Sequence, residues 1–143
     1  MEIAELNNQT FWMDQMQSVT PFVKSYRVSK PDGTFLTVGV TSDESMLTAL
    51  AQADRICVIK RNDMEWAMCE HAVILTIKVV EKFGHESEEY CAMARCIKEE
   101  FNARFGLTWH CLLLIRGGSS FTHAAGGYIC LEYGQFLITL YKQ

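Results

Sequence analysis

Short apolar runs separated by glycines occupy the last third of the chain. The runs are Trp109–Arg116, Phe121–His123, Tyr128–Tyr133 and Gln135–Lys142. Runs of this length between turn residues predict consecutive antiparallel strands. The stretch 119–123 is polar at both ends and too short for a core strand. We therefore expect an edge strand there, at which another chain can pair.

Helical periodicity precedes these strands. Asn62 and Glu65 have the spacing of a capping box, and apolar residues then recur every three or four positions as far as Phe83. A second amphipathic helix is predicted from about Ser87 to Gly106, with its charges on one wet face. Together with a short strand at 56–60, this order predicts an α+β fold in which two helices pack on an antiparallel sheet.

The first 55 residues carry weaker signals. Two β-rich runs flank Lys30-Pro31-Asp32-Gly33, which predicts a hairpin over 25–40. The next stretch predicts a short helix over 43–53, capped near its start by hydroxyl and acidic residues. Phe11, Trp12, Met13 and Met16 fit a short amphipathic helix or a docking arm, and a loosely ordered tail fits as well.

Composition narrows the class of protein. The chain has 143 residues, 49% of them hydrophobic, which is enough for one packed domain. A net charge of −4 gives no electrostatic reason to expect nucleic acid or an acidic membrane as partner. The first ten residues do not resemble a signal peptide, and the apolar run at 72–77 is too short to span a bilayer.

The six cysteines and four histidines do not form a recognisable catalytic or metal site. No CxxC pair occurs, and Cys69 and His71 would point about 200° apart on a helix, so we predict buried free thiols and no metal. His110 and Cys111 are neighbours, which places them on opposite faces of a strand. A binding module is favoured over an enzyme. A thiol enzyme stays open as an alternative and would need a reactive cysteine of low pKa.

Residues 56–142 resemble the dynein light chains of the eight-kilodalton class. The resemblance is carried by short motifs at matching positions. They are Val58-Ile59-Lys60, Asp63-Met64, Glu81-Lys82-Phe83, Ile97-Lys98, Glu100-Phe101, Thr108-Trp109-His110-Cys111, Gly118-Ser119, Thr122-His123 and Tyr133-Gly134-Gln135. The chain thus divides into an N-terminal extension, 1–55, and a light-chain domain, 56–143.

The resemblance implies a strand-swapped, two-fold dimer that clamps client peptides without catalysis or cofactor. The short strand at 118–123 crosses to the partner's sheet, and a client adds beside it as a further strand. Dynein intermediate chains are among the family's clients. The implied dimer interface comprises His110, Ser119, Ser120, Phe121 and Thr122. The implied peptide groove comprises Lys60, Arg61, Arg116, Gly117, Gly118, Ser119, Ser120, Phe121, Thr122, His123, Tyr128, Cys130 and Glu132.

The chain departs from the family pattern in this groove. Ser120 replaces a tyrosine, Cys130 and Glu132 replace two aromatic residues, and Ile115-Arg116-Gly117 replaces Arg-Asn-Phe. We therefore expect the groove to bind the usual Thr-Gln-Thr client motif weakly. We also expect the chain to have one dedicated partner. We expect that partner to be a dynein intermediate or heavy chain segment in an axonemal outer arm of a cilium. Both a homodimer and a heterodimer with another light chain stay open. The expected location is the cytoplasm and the cytoskeleton. The alternative function is a general dimerisation hub for non-dynein clients.

The extension leaves three hypotheses open. It is a docking arm onto neighbouring dynein chains, a segment that occupies its own groove, or a passive tail. A calcium-linked signalling protein that carries a light-chain domain is a further alternative, although the sequence contains no EF-hand loop.

Overall fold

The computed structural model describes residues 10–17, 22–40, 56–83, 87–106, 108–115 and 127–142. Within these ranges the chain forms seven strands, two α-helices and one 3₁₀ turn. They are β1 (Trp12–Met16), β2 (Lys24–Ser29), β3 (Phe35–Val40), β4 (Ile56–Asn62), α1 (Trp66–Phe83), the 3₁₀ turn (Ser87–Glu89), α2 (Tyr90–Phe105), β5 (Trp109–Ile115), β6 (Tyr128–Tyr133) and β7 (Phe136–Lys142).

All seven strands join one sheet in the order β1-β2-β3-β4-β6-β7-β5. Every neighbouring pair is antiparallel except β3 and β4, which run parallel. The predicted α+β fold, with two helices on a sheet, is confirmed. The sheet predicted for residues 56–142 is antiparallel throughout, and the one parallel pair joins it to β3 of the N-terminal extension.

The core lies between the two helices and one face of the sheet. Alternate residues of every strand face the helices, among them Val28, Val38, Ile59, Leu131 and Ile138. From the helices, Val73 and Ile77 of α1 and Ile97 and Phe101 of α2 are completely buried against them. At about 25 cal/mol per Å² of apolar surface, this layer is the main source of stability.

The N-terminal strands extend the sheet beyond β4. The hairpin predicted over 25–40 is confirmed, with Lys24 paired to Val40 and Ser29 to Phe35. Gly33 has a φ of 88° in its turn, which only glycine adopts without strain. The predicted helix near Trp12 is wrong, because Trp12–Met16 is a strand paired with β2. Only Met13 of this strand is buried, so it is held by backbone pairing more than by an apolar face.

The ends of the helices use local hydrogen bonds that differ from the predicted capping box. The Oδ1 atom of Asn62 accepts from the Met64 N–H at 2.9 Å, which makes a turn ahead of the helix. The Glu65 carbonyl accepts the Cys69 N–H at 3.0 Å, so Glu65 takes the N-cap position. At the end of α2, Gly106 has a φ of 84° and donates to the Asn102 carbonyl.

Two predicted elements, the helix at 43–53 and the strand at 121–123, lie outside the described residues. In the part of the chain that is described, neither helix is long and apolar enough to cross a membrane. No cluster of three or more potential metal ligands occurs within the same ranges.

Candidate functional site: the helix-free face of the sheet

The predicted groove residues on β4 and β6 lie on the face of the sheet that the helices do not cover. Strand alternation places Val58, Cys130 and Glu132 there, because their neighbours Ile59, Ile129 and Leu131 face the helices. Val58 belongs to a separate apolar cluster on this second face. The face continues across β7 and β5, where Leu137, Thr139 and His110 share it by register. We call it the helix-free face.

Lys60 and Glu132 form an ion pair on this face. The Lys60 Nζ atom lies 3.3 Å from the Glu132 Oε1 atom, and the Glu132 side chain is only 9% exposed. A shift in register between Ile59 and Arg61 marks a β-bulge at Lys60, and a bulge re-aims the side chain of the extra residue. The second carboxylate oxygen of Glu132 is buried and has no hydrogen-bond partner among the described residues. A buried unpaired oxygen costs roughly 1–3 kcal/mol, so this position favours a donor from outside.

Cys130 places a small side chain in the middle of the predicted groove. Its thiol accepts a hydrogen bond from the Thr139 hydroxyl at 3.6 Å, and both residues are buried. Burial raises the pKa of Cys130, which outweighs the opposing effects of the Thr139 hydrogen bond and the Lys60 charge. Tyr128 is half-buried two residues earlier on β6, and its pKa is also raised, first by burial. The strand therefore presents one aromatic ring, one thiol and one carboxylate.

Phe22 is a feature of this face that sequence reasoning missed. Its ring packs on Val58, next to partly buried Ile56, and only 7% of the residue is exposed. It also covers Gly39 so closely that a Cβ atom at that position would overlap the ring. The backbone just after it is fixed, because the Val23 N–H donates to the Val40 carbonyl at 2.8 Å. A residue of the N-terminal extension thus covers β4 beside the Lys60–Glu132 pair. A single aromatic residue in a loop carries no periodic signal, so the sequence could not reveal it.

The remaining predicted site residues are only partly brought together. Arg61 is exposed and stands opposite Cys130 in the β4–β6 register. His110 is half-buried on β5, with its ring stacked on Tyr141 at a centroid distance of 5.2 Å. The groove and interface residues Arg116, Gly117, Gly118, Ser119, Ser120, Phe121, Thr122 and His123 lie outside the described residues.

One edge of the sheet is open beside these residues. Strand β5 pairs with β7 on one side and is the outermost strand at this end of the described sheet. Leu112 and Leu114, on the helix-free face of β5, are half-buried. An unpaired edge strand next to a partly apolar face is able to receive another strand.

The thiols do not resemble catalytic nucleophiles. Burial raises the pKa of Cys69 to about 11 and that of Cys111 to about 12, and it raises the pKa of Cys57 and Cys96 as well. Reactive cysteines need the opposite shift, which a neighbouring cation or a helix N-terminus provides. The five buried or half-buried thiols whose pKa is raised are therefore suited to packing.

Known proteins share this architecture. Residues 57–143 match the family model described as dynein light chain type 1. The cytoplasmic dynein light chain of Emericella nidulans is 37% identical over 84 residues, which are 59% of this chain and 85% of that protein. Two solved structures of the dynein light chain-like domain of the Fasciola hepatica calcium binding protein FhCaBP2 match with TM-scores of 0.52 and 0.53. Each is 18% identical and covers 61% of this chain, and the match spans 91% and 90% of those chains.

Fold and site together define a class of α+β domain in which two helices cover one face of a sheet and β5 is an edge strand among the described residues. Within that class, the chain belongs to the dynein light chain family.

Proposed function

We propose that this chain is a non-catalytic dynein subunit that dimerises and binds a segment of another dynein chain as an added β-strand. The observation that carries the proposal is the match of residues 57–143 to the dynein light chain family. The open edge of β5 and the helix-free face beside it are the surface that strand addition requires.

The proposed dimer forms across β5. The stretch 118–123 of one protomer pairs with this edge of its partner, and His110, Ser119, Ser120, Phe121 and Thr122 line the contact. Half-buried Leu112 and Leu114 support this arrangement, because a partner would complete their burial. The light-chain domain alone, 56–143, is small, so association adds stability to it.

The proposed client is a dedicated one. A buried thiol and a buried carboxylate occupy the β6 positions where the family has aromatic residues, and Lys60 already neutralises the carboxylate. Main-chain hydrogen bonds to a client need only backbone groups, so strand addition survives these changes. The family's side-chain selectivity is lost, because the pockets for alternate client residues have a different shape and charge.

We place this function in the cytoplasm and cytoskeleton, with an axonemal outer arm as the specific site. The name of the Emericella nidulans relative supports a cytoplasmic, dynein-linked location. A dedicated client fits a specialised dynein better than the general hub for non-dynein proteins, which is the alternative.

Affinity capture of the tagged full-length chain, followed by quantitative mass spectrometry, tests the proposal. We expect dynein intermediate or heavy chains to be enriched, and we expect a Ser120→Pro variant to lose them, because proline removes a backbone donor from the pairing strand. Enrichment of unrelated proteins without any dynein subunit would instead establish the hub. Equal capture of dynein chains by both variants would rule out strand addition at 118–123.

A further inference from the structure

Two exposed aromatic residues stand in one row across the N-terminal strands. Trp12 of β1 and Phe35 of β3 are 53% and 50% exposed. Both are paired with Ser29 of β2, from its two sides. Their sequence neighbours Met13 and Leu36 belong to the helix-facing core, so the two rings lie on the helix-free face. We call Trp12, Ser29 and Phe35 the aromatic row. Single exposed apolar residues are ordinary, whereas two rings side by side mark an interaction surface.

The aromatic row shares no residue with the predicted groove. It consists of residues of β1, β2 and β3, whereas the described groove residues lie on β4 and β6. Thr37 is the first residue of β3 that pairs with β4, so no residue of β4 stands beside Phe35. The Phe22 ring covers Gly39, which is four residues and about 13 Å further along β3. The row is therefore a separate surface, at the end of the sheet that is remote from β5.

A carboxylate beside the row has no compensating charge. The guanidinium carbon of Arg27 lies 4.8 Å from the centroid of the Phe35 ring, so this cation is directed towards β3. Asp14 is paired with Arg27 from the other side, on β1, and forms no ion pair among the described residues. It is exposed and shares the face of Trp12, about 7 Å along the strand. The open side of Trp12 therefore favours a partner that brings a cation.

The spacing of the two rings fits a segment in the polyproline II conformation. Neighbouring strands are about 4.8 Å apart, so the backbones at Trp12 and Phe35 are separated by about 10 Å. In polyproline II, residues three apart share a face and are about 9 Å apart. Residues on one face of an extended strand recur every ~7 Å instead. A polyproline II segment that crosses β1, β2 and β3 therefore contacts both rings with residues three apart.

Hydrogen-bond donors beside the rings favour the same partner. The indole of Trp12, the guanidinium of Arg27 and the hydroxyl of Ser29 all donate. The carbonyl groups of polyproline II make no internal hydrogen bonds and are free to accept, whereas those of a helix are already paired. Proline also brings no backbone N–H that the row would leave without an acceptor. These 143 residues contain two prolines, so a proline-rich segment belongs to another protein.

We propose that the aromatic row binds a proline-rich segment of another protein, with prolines on Trp12 and Phe35 and a flanking lysine or arginine paired with Asp14. The segment lies across the face of the sheet, in contrast to strand addition at the edge of β5. One chain therefore binds two partner segments at the same time, at opposite ends of the sheet. This gives the N-terminal extension a role as a docking element.

Titration of the 143-residue chain with acetyl-Arg-Pro-Pro-Pro-Pro-Pro-Pro-amide, followed by NMR and calorimetry, tests the proposal. We expect saturable binding with a Kd of about 0.1–1 mM. The flexible peptide acetyl-Arg-Gly-Ser-Gly-Ser-Gly-Ser-amide should bind about tenfold more weakly, because it lacks the proline rings and loses more conformational entropy. Trp12→Ala and Phe35→Ala should each weaken binding of the proline peptide about threefold or more.

An exchange of charge tests the role of Asp14. Asp14→Lys should weaken binding of the arginine peptide about threefold and strengthen binding of acetyl-Glu-Pro-Pro-Pro-Pro-Pro-Pro-amide by about the same factor. Glu99→Lys makes the same change on the exposed face of α2, and Trp66→Ala removes an exposed tryptophan at the start of α1. Neither control should change the affinity or the preference between the two peptides.

Several results would overturn the proposal. They are lack of saturation, equal affinity for the flexible peptide, and equal loss of affinity in the control variants. Dissociation of the dimer by Trp12→Ala would instead assign the row to a second copy of this chain. Asp14, Trp12 and Phe35 are all exposed, so the other variants still decide the question if one of them fails to fold. These outcomes leave the capture of dynein chains through residues 118–123 untouched, because β1 and β5 are at opposite ends of the described sheet.

Discussion

Gly39 and Phe22 show how single residues fix the N-terminal extension to the domain. Phe22 covers Gly39 on β3 and Val58 on β4, which joins the two parallel strands from the helix-free side. Glycine at position 39 is required by this close approach, since its conformation is ordinary strand. The contact is aromatic and buried, so it contributes to stability. Because the Phe22 ring occupies the surface of β4 at Val58, no other group can pack there.

Substitution of Gly39 by alanine should destabilise the protein by about 1–3 kcal/mol, because the added methyl group overlaps the Phe22 ring. The double variant Gly39→Ala with Phe22→Ala should lose clearly less than the sum of the two single changes, since the smaller side chain makes room. Urea unfolding of the four proteins measures the coupling. Simple additivity would mean that the two residues do not contact each other.

Cys130 and Glu132 determine client selectivity in the proposed groove. Replacing both by tyrosine restores aromatic residues at these positions and should strengthen binding of a Thr-Gln-Thr peptide by about tenfold or more, at roughly 0.5–1.5 kcal/mol for each ring. Isothermal titration measures this, with Thr37→Tyr on β3 of the same face as the control and circular dichroism as the check on folding. Micromolar binding of that peptide by the unchanged chain would contradict the predicted loss of selectivity.

At the scale of elements, Glu81 joins the hairpin, β6 and α1. Its carboxylate forms an ion pair with Lys30, at the end of β2, and accepts a hydrogen bond from the Tyr133 hydroxyl at 2.8 Å. Lys30 and Glu81 are both partly buried, so the pair is less screened than one on the open surface. These contacts hold the tip of the N-terminal hairpin against the domain.

The change Glu81→Gln should lower the free energy of unfolding by about 1 kcal/mol, because it removes the charge from two shared contacts. Glu99→Gln, on the exposed face of α2, is the matched control and should change stability by less than about 0.5 kcal/mol. Thermal and urea unfolding compare the two variants. An equal effect of both would show that Glu81 does not link the elements.

His71 lies between the two helices and makes their packing sensitive to pH. Its ring contacts Phe101 and Phe105 of α2, at centroid distances of 5.6 Å, and its Nε2 atom is buried without a hydrogen-bond partner among the described residues. Burial, followed by the charges of Arg104 and Lys78, lowers the pKa of His71 to about 4. These effects outweigh the Glu100 carboxylate, whose oxygen is 3.7 Å away.

Stability should therefore fall as the pH decreases from about 6.5 towards 4. In this window the unfolded chain binds a proton at His71 and the folded chain does not, so the unfolded state is favoured as acid is added. The contribution is fully present above pH 6.5. Between pH 7 and pH 5, wild type should lose about 1 kcal/mol more than His71→Gln, a value reduced for partial exposure. Identical pH profiles of the two proteins in urea unfolding would contradict this role.

In the whole molecule, local sequence signals predicted the elements of the light-chain domain. The pairing of β1 and β3 depends on contacts between residues distant in sequence, which those signals do not contain. Helical periodicity and glycine turns sufficed for α1, α2, β5, β6 and β7, and for the hairpin around Gly33. Strand β1 has one buried residue, Met13, and its pairing with β2 cannot be read from such a pattern. The parallel contact of β3 with β4 is equally non-local, because the two strands are far apart in sequence.

The candidate site was predictable only in part, because contacts between residues distant in sequence leave no local signal. The motifs around Lys60 and Tyr133 indicated strands that correspond to β4 and β6, whereas the face of the sheet on which these residues lie came from the structure. The ion pair between Lys60 and Glu132 requires knowledge of the strand register and of the bulge at Lys60. The position of Phe22 and the aromatic row of Trp12 and Phe35 depend on how the extension pairs and packs, for which the family motifs have no counterpart.

The described part of the N-terminal extension packs as part of the sheet, which bears on the three hypotheses for its role. Its described strands lie beyond β4, at the far end of the sheet from the β5 edge, and they share the domain's core. This does not fit a passive tail for residues 12–16 and 22–40. Phe22 brings the extension next to the predicted groove, where it packs on Val58.

Sedimentation equilibrium of the 143-residue chain tests the proposed dimer, because strand addition at β5 requires the crossed dimer. We expect a mass of about 32.6 kDa at micromolar concentration, twice the chain mass of 16.3 kDa. We also expect 16.3 kDa for Ser120→Pro, while a Gln17→Pro control stays dimeric. A mass of 16.3 kDa for the unchanged chain, or a dimer that Ser120→Pro leaves intact, would rule out a dimer crossed at 118–123.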